Sequence, residues 1–126
     1  MGTTIDRKSI AAAYIDAVGK KDFASVEGML APDLAFKGPF MQLASAAEFI
    51  GALRRLSPIL DRNDIRYVFA DADRACVVYD FVTSTASGSI PTIEVVTFRD
   101  DKIAAIELFF DRMQFAAARE EIAKRA

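Results

Sequence analysis

The chain has 126 residues, of which 52% are hydrophobic, and its formal net charge is −2. This length is typical of one domain, so we expect a single domain over residues 1–126 with a substantial apolar core. The acidic balance and the scattered Lys and Arg residues argue against a nucleic-acid-binding surface. The chain has no His and one Cys, Cys76, which excludes His-dependent triads, His or Cys metal sites and a disulfide framework.

No stretch near the start resembles a signal peptide, and no apolar run reaches the length needed to cross a membrane. We therefore expect a cytoplasmic protein without a membrane partner. Nothing in the composition indicates a cofactor or a metal, and we expect neither.

Two helices are predicted at the start of the chain. Thr3 and Asp6 have the spacing of a capping box, and apolar residues follow at helical spacing as far as Val18. Asp22 is the predicted cap of a second, shorter helix, which Pro32 ends.

A short strand is predicted over residues 34–37, and an apolar loop from Phe40 to Leu43 follows it. Loops normally lie on the surface, so this one either packs beneath the next helix or lines the mouth of a cavity. Ser45 and Glu48 form a capping box, and the helix that they begin is predicted to end before Pro58.

From residue 64 onward the pattern becomes that of β-strands. Residues with β-branched and aromatic side chains are concentrated at 65–70, 75–84, 90–99 and 103–110. Asp111 then caps a last helix that runs from Arg112 to about Lys124. This order predicts an α+β fold in which helices cover one face of a curved antiparallel sheet.

Glu94 lies in the middle of one of these predicted strands. Side chains alternate along a strand, so Glu94 shares a face with Thr92, Val96 and Phe98. A carboxylate costs several kcal/mol to bury unless it is paired or protonated. Glu94 is therefore the first candidate for a functional residue.

The order and spacing of these segments resemble the nuclear transport factor 2-like superfamily, and more narrowly its small bacterial SnoaL-like and ketosteroid-isomerase-like members. The matching segments extend over nearly the whole chain and include AYIDAVGKKDFASVEGMLAPDLAFKGP, VVYDFVT and IPTIEVVTFRDDKIAAIELFFD. The resemblance implies a cystatin-like cone, in which a curved antiparallel sheet is wrapped by the N-terminal helices around an apolar cavity, and a C-terminal helix. It also implies a dimer.

The resemblance also implies site residues. Ketosteroid-isomerase-like members carry a Tyr on the first helix, an Asp base after the first short strand and a protonated acid on a later strand. Tyr14 falls on the Tyr position and Glu94 on the acid position, whereas the base position falls on Gly38, which cannot take a proton. SnoaL-like cyclases have an Asp base on the last strand, for which Asp111 is the nearest candidate. The implied catalytic residues are thus Glu94, Tyr14 and Asp111.

Each of these residues also has a structural interpretation. Glu94 is either an acid or base inside the cavity or a carboxylate satisfied by Tyr14 or an arginine. Tyr14 either donates to a ligand or packs with its hydroxyl on Glu94. Asp111 is either catalytic or a helix cap.

The residues expected to line the cavity and contact a ligand are mostly aromatic: Phe36, Phe40, Met41, Tyr79, Phe81, Phe98, Leu108 and Phe110. The opposite face of the sheet, which includes Val78, Ile93 and Phe109, is too apolar to be left in water. A homodimer through this outer face is the predicted assembly.

Three functions are compatible with these features. The first is a small enzyme that performs cofactor-free acid/base chemistry of the isomerase, cyclase or hydrolase type on an apolar, carbonyl-bearing molecule. The second is a non-catalytic domain that binds such a molecule. The third is a dimeric protein-interaction module.

Overall fold

The computed structural model describes residues 6–125, which form four α-helices and one curved, six-stranded sheet. The helices are α1 Arg7–Gly19, α2 Phe23–Met29, α3 Ala46–Leu56 and α4 Arg112–Arg125, and a turn of 3-10 helix at Ser57–Ile59 follows α3. The strands are β1 Leu30–Lys37, β2 Gln42–Leu43, β3 Leu60–Asp71, β4 Arg74–Thr83, β5 Ser89–Arg99 and β6 Lys102–Phe110. The predicted α+β fold with its C-terminal helix is confirmed.

The strands lie in the order β2-β1-β6-β5-β4-β3. β3 to β6 pair antiparallel with their sequence neighbours, as predicted. β1 instead runs parallel to β6, a pairing that the prediction of a curved antiparallel sheet did not include. Parallel pairing needs a long crossover connection, and α3 with the three strands β3 to β5 supplies it.

Aspartates fix the beginnings of the first two helices. The Asp6 carboxylate accepts hydrogen bonds from the backbone N–H and the hydroxyl of Ser9, over 3.2 and 2.7 Å. The Asp22 carboxylate makes the same pair of bonds to Ser25. The first helix therefore begins after Asp6, and Thr3, where the sequence predicted its capping box, lies outside the described residues. None of the helices within residues 6–125 is long and apolar enough to cross a membrane.

The Ser45 cap of α3 was predicted correctly. Its hydroxyl accepts from the Glu48 backbone N–H over 3.1 Å, and the Glu48 carboxylate accepts in turn from the N–H of Ala44. The helix ends at Leu56, before Pro58, which lies in the 3-10 turn.

Two strands are longer than the sequence pattern predicted. β1 begins at Leu30 and includes Pro32, which was expected to separate helix from strand. Proline has no N–H to donate, and here it lies where the register between β1 and β6 shifts, between Leu30 and Ala35. β3 begins at Leu60, whereas the sequence predicted a start at Ile65. The pattern did not reveal the first residues of β3, because they are mostly charged and lack the alternation of apolar side chains that is typical of a strand.

The core lies between the inner face of the sheet and the helices. Alternate residues of β4 and β5, from Ala75 to Thr83 and from Ile90 to Phe98, are buried on this face. α1 lies against β3, and a Cβ atom on its last residue, Gly19, would come within 2.9 Å of the Asn63 backbone nitrogen. A glycine at this position therefore allows the helix to approach the strand closely.

Candidate functional site

A carboxyl group and two phenols meet in the interior. The Tyr14 hydroxyl donates to Oε1 of Glu94 over 2.7 Å, and the Tyr79 hydroxyl donates to Oε2 over 2.5 Å. All three side chains are buried, with exposed fractions of 1% for Tyr14, 4% for Tyr79 and 6% for Glu94. We refer to Tyr14, Tyr79 and Glu94 as the triad.

Three elements position the triad. Glu94 on β5 lies between its register partners, Val77 of β4 and Leu108 of β6. Tyr79 is two residues beyond Val77 on β4, so its side chain emerges on the same inner face and reaches Glu94 diagonally. Tyr14 is on the buried side of α1, which packs across the sheet.

Burial dominates the electrostatics of the triad. Removal from water raises the pKa of Glu94, and the hydrogen bonds from Tyr79 and Tyr14, which favour the ionised form, oppose that rise. Burial, followed by the nearby Glu94 charge, raises the pKa of both tyrosines well above the ordinary value of 10.0. Both phenols therefore remain protonated donors across the physiological pH range.

The triad lies in the wall of a pocket of about 400 Å³ between the sheet and the helices. Most of its lining is apolar. The sheet contributes Phe36, Phe81, Ile90, Leu108 and Phe110, and the helices contribute Val18, Phe49, Ala52, Leu53, Leu56, Phe115, Ile122 and Ala123. We call this space the triad pocket.

Most of the residues predicted from the sequence are brought together here. Tyr14, Tyr79 and Glu94 line the triad pocket, as do Phe36, Phe40, Met41, Phe81, Leu108 and Phe110. The apolar loop before α3 therefore contributes to the pocket, in line with the second of the two alternatives for it. Its Phe40 ring lies 5.8 Å from that of Phe110 and 6.0 Å from that of Phe115.

Two predicted residues are not brought to the pocket. Phe98 is buried on the inner face but lies outside the pocket lining, beneath the Arg7 guanidinium at 5.6 Å. Asp111 is exposed, and its carboxylate accepts from the Met113 backbone N–H over 2.8 Å at the start of α4. The structural interpretation of Asp111 as a helix cap thus fits its geometry.

Glu94 is the one acidic residue among those described as lining the triad pocket. Gly38, the position of the implied base, also lines it, and a Cβ atom there would lie 3.1 Å from the Phe36 ring. Within residues 6–125, no three Cys, Asp or Glu side chains are grouped as metal ligands. Any acid/base chemistry in this pocket therefore depends on a single carboxyl group.

Four polar residues of the lining were not predicted from the sequence: Arg55, Asn63, Thr92 and Arg119. Arg119 follows Phe115 by one helical turn, so its side chain lies on the same face of α4. That spacing is the signal that the sequence offers for Arg119. Asn63 donates through Nδ2 to the Ile15 carbonyl over 3.0 Å, and its buried Oδ1 has no partner among the described residues.

Comparisons with known proteins agree with this architecture. A protein from Kribbella flavida is 27% identical, with 93% of this chain and 96% of that chain aligned at a TM-score of 0.79. An NTF2-like protein of unknown function from Cytophaga hutchinsonii is 15% identical over 92% and 99% of the two chains, with a TM-score of 0.77. An uncharacterised bacterial protein with a cystatin-like fold from Silicibacter pomeroyi is 14% identical over 94% and 85%, with a TM-score of 0.79.

No match was found among curated proteins. The model of the SnoaL-like domain matches residues 11–106, which is most of the chain and includes Tyr14, Tyr79 and Glu94. The chain therefore belongs to the SnoaL-like domain family, within the NTF2-like superfamily.

Proposed function

We propose that this protein binds a small, mostly apolar molecule in the triad pocket, with a carbonyl or similar polar group of that molecule near Glu94. The observation that carries the proposal is the convergence of Tyr14, Tyr79 and Glu94 on the wall of an otherwise apolar pocket. A volume of about 400 Å³ is within the range of small-molecule sites, which combine apolar walls with a few placed polar groups.

A purely structural role does not explain why these three polar side chains are buried together. Burying a carboxyl group is costly, and well-packed apolar residues of the same volume stabilise a core at least as well. A side chain that lowers the stability of the folded state is typical of a functional site. Glu94 has this cost, since burial raises its pKa.

A binding screen tests the proposal. Cyclic ketones and matched hydrocarbons are titrated into ¹⁵N-labelled protein, and we expect chemical-shift changes concentrated around the triad pocket. Ala52 lines this pocket, so Ala52→Phe should fill part of it and weaken binding at least tenfold. Ala116 on α4 is exposed and outside the lining, so Ala116→Phe is the matched control and should bind as the wild type does. Equal binding by both variants would contradict the proposed location.

Proton transfer is the second candidate function, and the raised pKa of Glu94 favours it. In its ionised form Glu94 can take a proton from the carbon next to a ligand carbonyl, which leaves an enolate and a neutral carboxyl group. A tyrosine hydroxyl no longer held by the carboxylate is then available to donate to the enolate oxygen. Because the lining has one carboxyl group, that group must also return the proton. This favours isomerisation over reactions that need two acids.

Deuterium exchange tests this second candidate. A bound ketone in D₂O should exchange its α-protons faster with wild-type protein than with Glu94→Gln, as followed by proton NMR. Tight binding with no exchange above the buffer rate would leave ligand binding as the function and remove the chemistry.

We also propose that two copies associate through the outer face of the sheet. The exposed apolar side chains there include Tyr67, Phe69, Ile93 and Phe109, with exposed fractions of 58%, 60%, 39% and 46%. The same face carries charges of both signs, such as the Arg66–Asp80 ion pair at 2.6 Å. A patch that holds apolar groups and both signs of charge can be self-complementary, as a two-fold symmetric interface requires.

A further inference from the structure

We propose that the molecule bound in the triad pocket is an amphipathic monoacid, whose anionic head group is held by Arg55 and Arg119 at the pocket mouth. Its mostly apolar body, with the carbonyl or similar polar group proposed above, then extends inward toward the triad. This inference rests on the proposed binding function and names the class of ligand.

The charges in the pocket are divided between its two ends. Glu94 lies at the buried end, where both carboxyl oxygens accept hydrogen bonds from tyrosines. Arg55 and Arg119 are exposed, and they are the two cationic residues described among the lining. The described lining has no acidic residue at this exposed end. The mouth is therefore positive on a protein whose formal net charge is −2.

Neither arginine forms an ion pair with another residue that the structure describes. Uncompensated guanidinium groups beside a concave apolar surface attract anions, because low-dielectric walls concentrate the field. A planar guanidinium also matches the two oxygens of a carboxylate.

The loop before α3 holds one of these arginines in place. The Arg119 guanidinium lies 4.2 Å from the centre of the Phe40 ring, and the Arg112 guanidinium lies 5.5 Å from the same ring. Arg112 also donates to the Pro39 carbonyl over 2.6 Å. Arg119 is thus positioned by stacking while its N–H groups remain available to a ligand.

Arg55 reaches the mouth from the last turn of α3, and α3 packs against α4. A basic residue in a last helical turn also stabilises the helix dipole. Arg54 has that role equally but lies over the Phe23 ring, at 5.2 Å, and is outside the pocket lining. The difference between these neighbours is that Arg55 faces the pocket.

The arrangement fixes the orientation of the ligand. A free carboxylate at the buried end would meet the oxygens of Glu94 and lose its own hydration, both of which are unfavourable. At the mouth the same group stays partly hydrated and meets two cations. The acid group therefore faces outward, and a mostly apolar tail or ring, whose uncharged polar group can lie near Glu94, fills the pocket.

A matched series of probes tests this: octanoate, octyl sulfate, 1-octanol, methyl octanoate and octylamine, titrated by calorimetry and ligand-observed NMR. We expect octanoate to bind more tightly than octanol, and octylamine to bind most weakly. Higher NaCl concentrations should weaken octanoate binding and leave octanol binding unchanged. If octyl sulfate binds more tightly than octanoate, the head group is tetrahedral rather than planar, and the anionic class is still supported.

The variants separate the arginines from general effects of charge. Arg55→Gln and Arg119→Gln should each weaken octanoate binding by roughly two- to fivefold, the range for exposed ion pairs, without changing octanol binding. Arg54→Gln removes the same charge from the same helical turn and should bind octanoate as the wild type does. Arg119→Lys keeps the charge but loses the planar fork, so it should restore only part of the affinity.

The outcomes for this inference and for the proposed function differ. If octanol and octanoate bind equally, and the arginine variants change neither, the inference is wrong while the binding function stands. If octylamine binds most tightly, the inference is also wrong. If no probe binds, and none of the cyclic ketones binds either, the proposed function fails and the inference fails with it.

Discussion

Tyr79 and Glu94 lie diagonally across neighbouring strands, and the Tyr79 hydroxyl donates to the Glu94 carboxyl group over 2.5 Å. This bond crosses the inner face of the sheet, where both side chains are buried. The Tyr14 hydroxyl donates to the other carboxyl oxygen. The protonation state of Glu94 therefore depends on two phenols and on the lack of contact with water.

The burial of Glu94 predicts how stability depends on pH. Its folded-state pKa is raised above the ordinary value of 4.5, so the folded state binds more protons than the unfolded state in the range between the two values. The contribution of Glu94 to stability is fully present below pH 4.5 and is lost as the pH rises through the folded pKa. Urea unfolding from pH 4 to 8 should show a fall of up to about 1.4 kcal/mol per pH unit in this range.

Glu94→Gln should remove that fall, since an amide does not titrate and can still bond both tyrosines. Glu107→Gln is the matched control, because Glu107 is an exposed residue of β6, and the fall should remain in that variant. A wild-type profile parallel to that of Glu94→Gln would contradict a raised pKa.

A second prediction concerns the free energy of unfolding when the triad residues are replaced one after another. Glu94→Leu alone leaves two buried hydroxyls without their acceptor, at about 1–3 kcal/mol each. We therefore expect this variant to be less stable than the wild type at pH 7. Adding Tyr14→Phe and Tyr79→Phe should recover the loss and produce a protein at least as stable as the wild type.

The same series has an internal control. Tyr14→Phe with Tyr79→Phe, in the presence of Glu94, leaves a buried carboxyl group without partners and should lose about 3–5 kcal/mol. Urea unfolding of the four proteins measures these differences. Equal stability of Glu94→Leu and the triple variant would show that the two hydroxyls do not depend on Glu94 as their acceptor.

Much of the fold could be predicted because local signals agree with the tertiary structure. Ser45 and Glu48 fixed the start of α3, and the alternation around Glu94 identified its buried face. The parallel pairing of β1 with β6 could not be predicted, because it depends on where a long crossover returns. The charged start of β3 was missed for a different reason: its edge position leaves polar side chains in water.

The candidate site was predictable only in part. Glu94 was found because a carboxyl group on a buried strand face needs a partner, and Tyr14 was found because it falls on the tyrosine position of the family that the sequence resembles. Arg55 and Arg119 were missed, since an arginine on a helix looks the same in sequence whether it faces open water or a pocket mouth. Which of the two it faces depends on the packing of α3 against α4.

The two tyrosines should differ in their effect on the pKa of Glu94. Both hydrogen bonds lower this pKa, and the bond from Tyr79, at 2.5 Å, is shorter than the bond from Tyr14, at 2.7 Å. Tyr79→Phe should therefore raise the pKa of Glu94 further, and Tyr14→Phe should raise it by a smaller amount. A ¹³C NMR titration of the Glu94 carboxyl carbon measures both changes.

The third tyrosine of the chain, Tyr67, is the control for this titration. It pairs with Val78, the residue next to Tyr79, but its side chain is exposed on the outer face, with 58% of its surface accessible, on the opposite side of the sheet from the triad. Tyr67→Phe should leave the pKa of Glu94 unchanged. A lower pKa in Tyr79→Phe would show that this hydroxyl does not stabilise the ionised carboxylate.

The outer face leads to a prediction about assembly. Ile93 and Phe109 are register partners on β5 and β6, and both side chains are exposed on this face. In light scattering at micromolar concentration we expect a wild-type mass of twice the 13.8 kDa monomer.

Ile93→Lys with Phe109→Lys should yield the monomer, because a two-fold axis would bury four unpaired ammonium groups in one interface. Met113→Lys changes an apolar residue that is 84% exposed and belongs to α4 rather than to the sheet, so that variant should remain dimeric. A monomeric wild type would contradict the proposed interface, and a dimeric double variant would place the interface elsewhere.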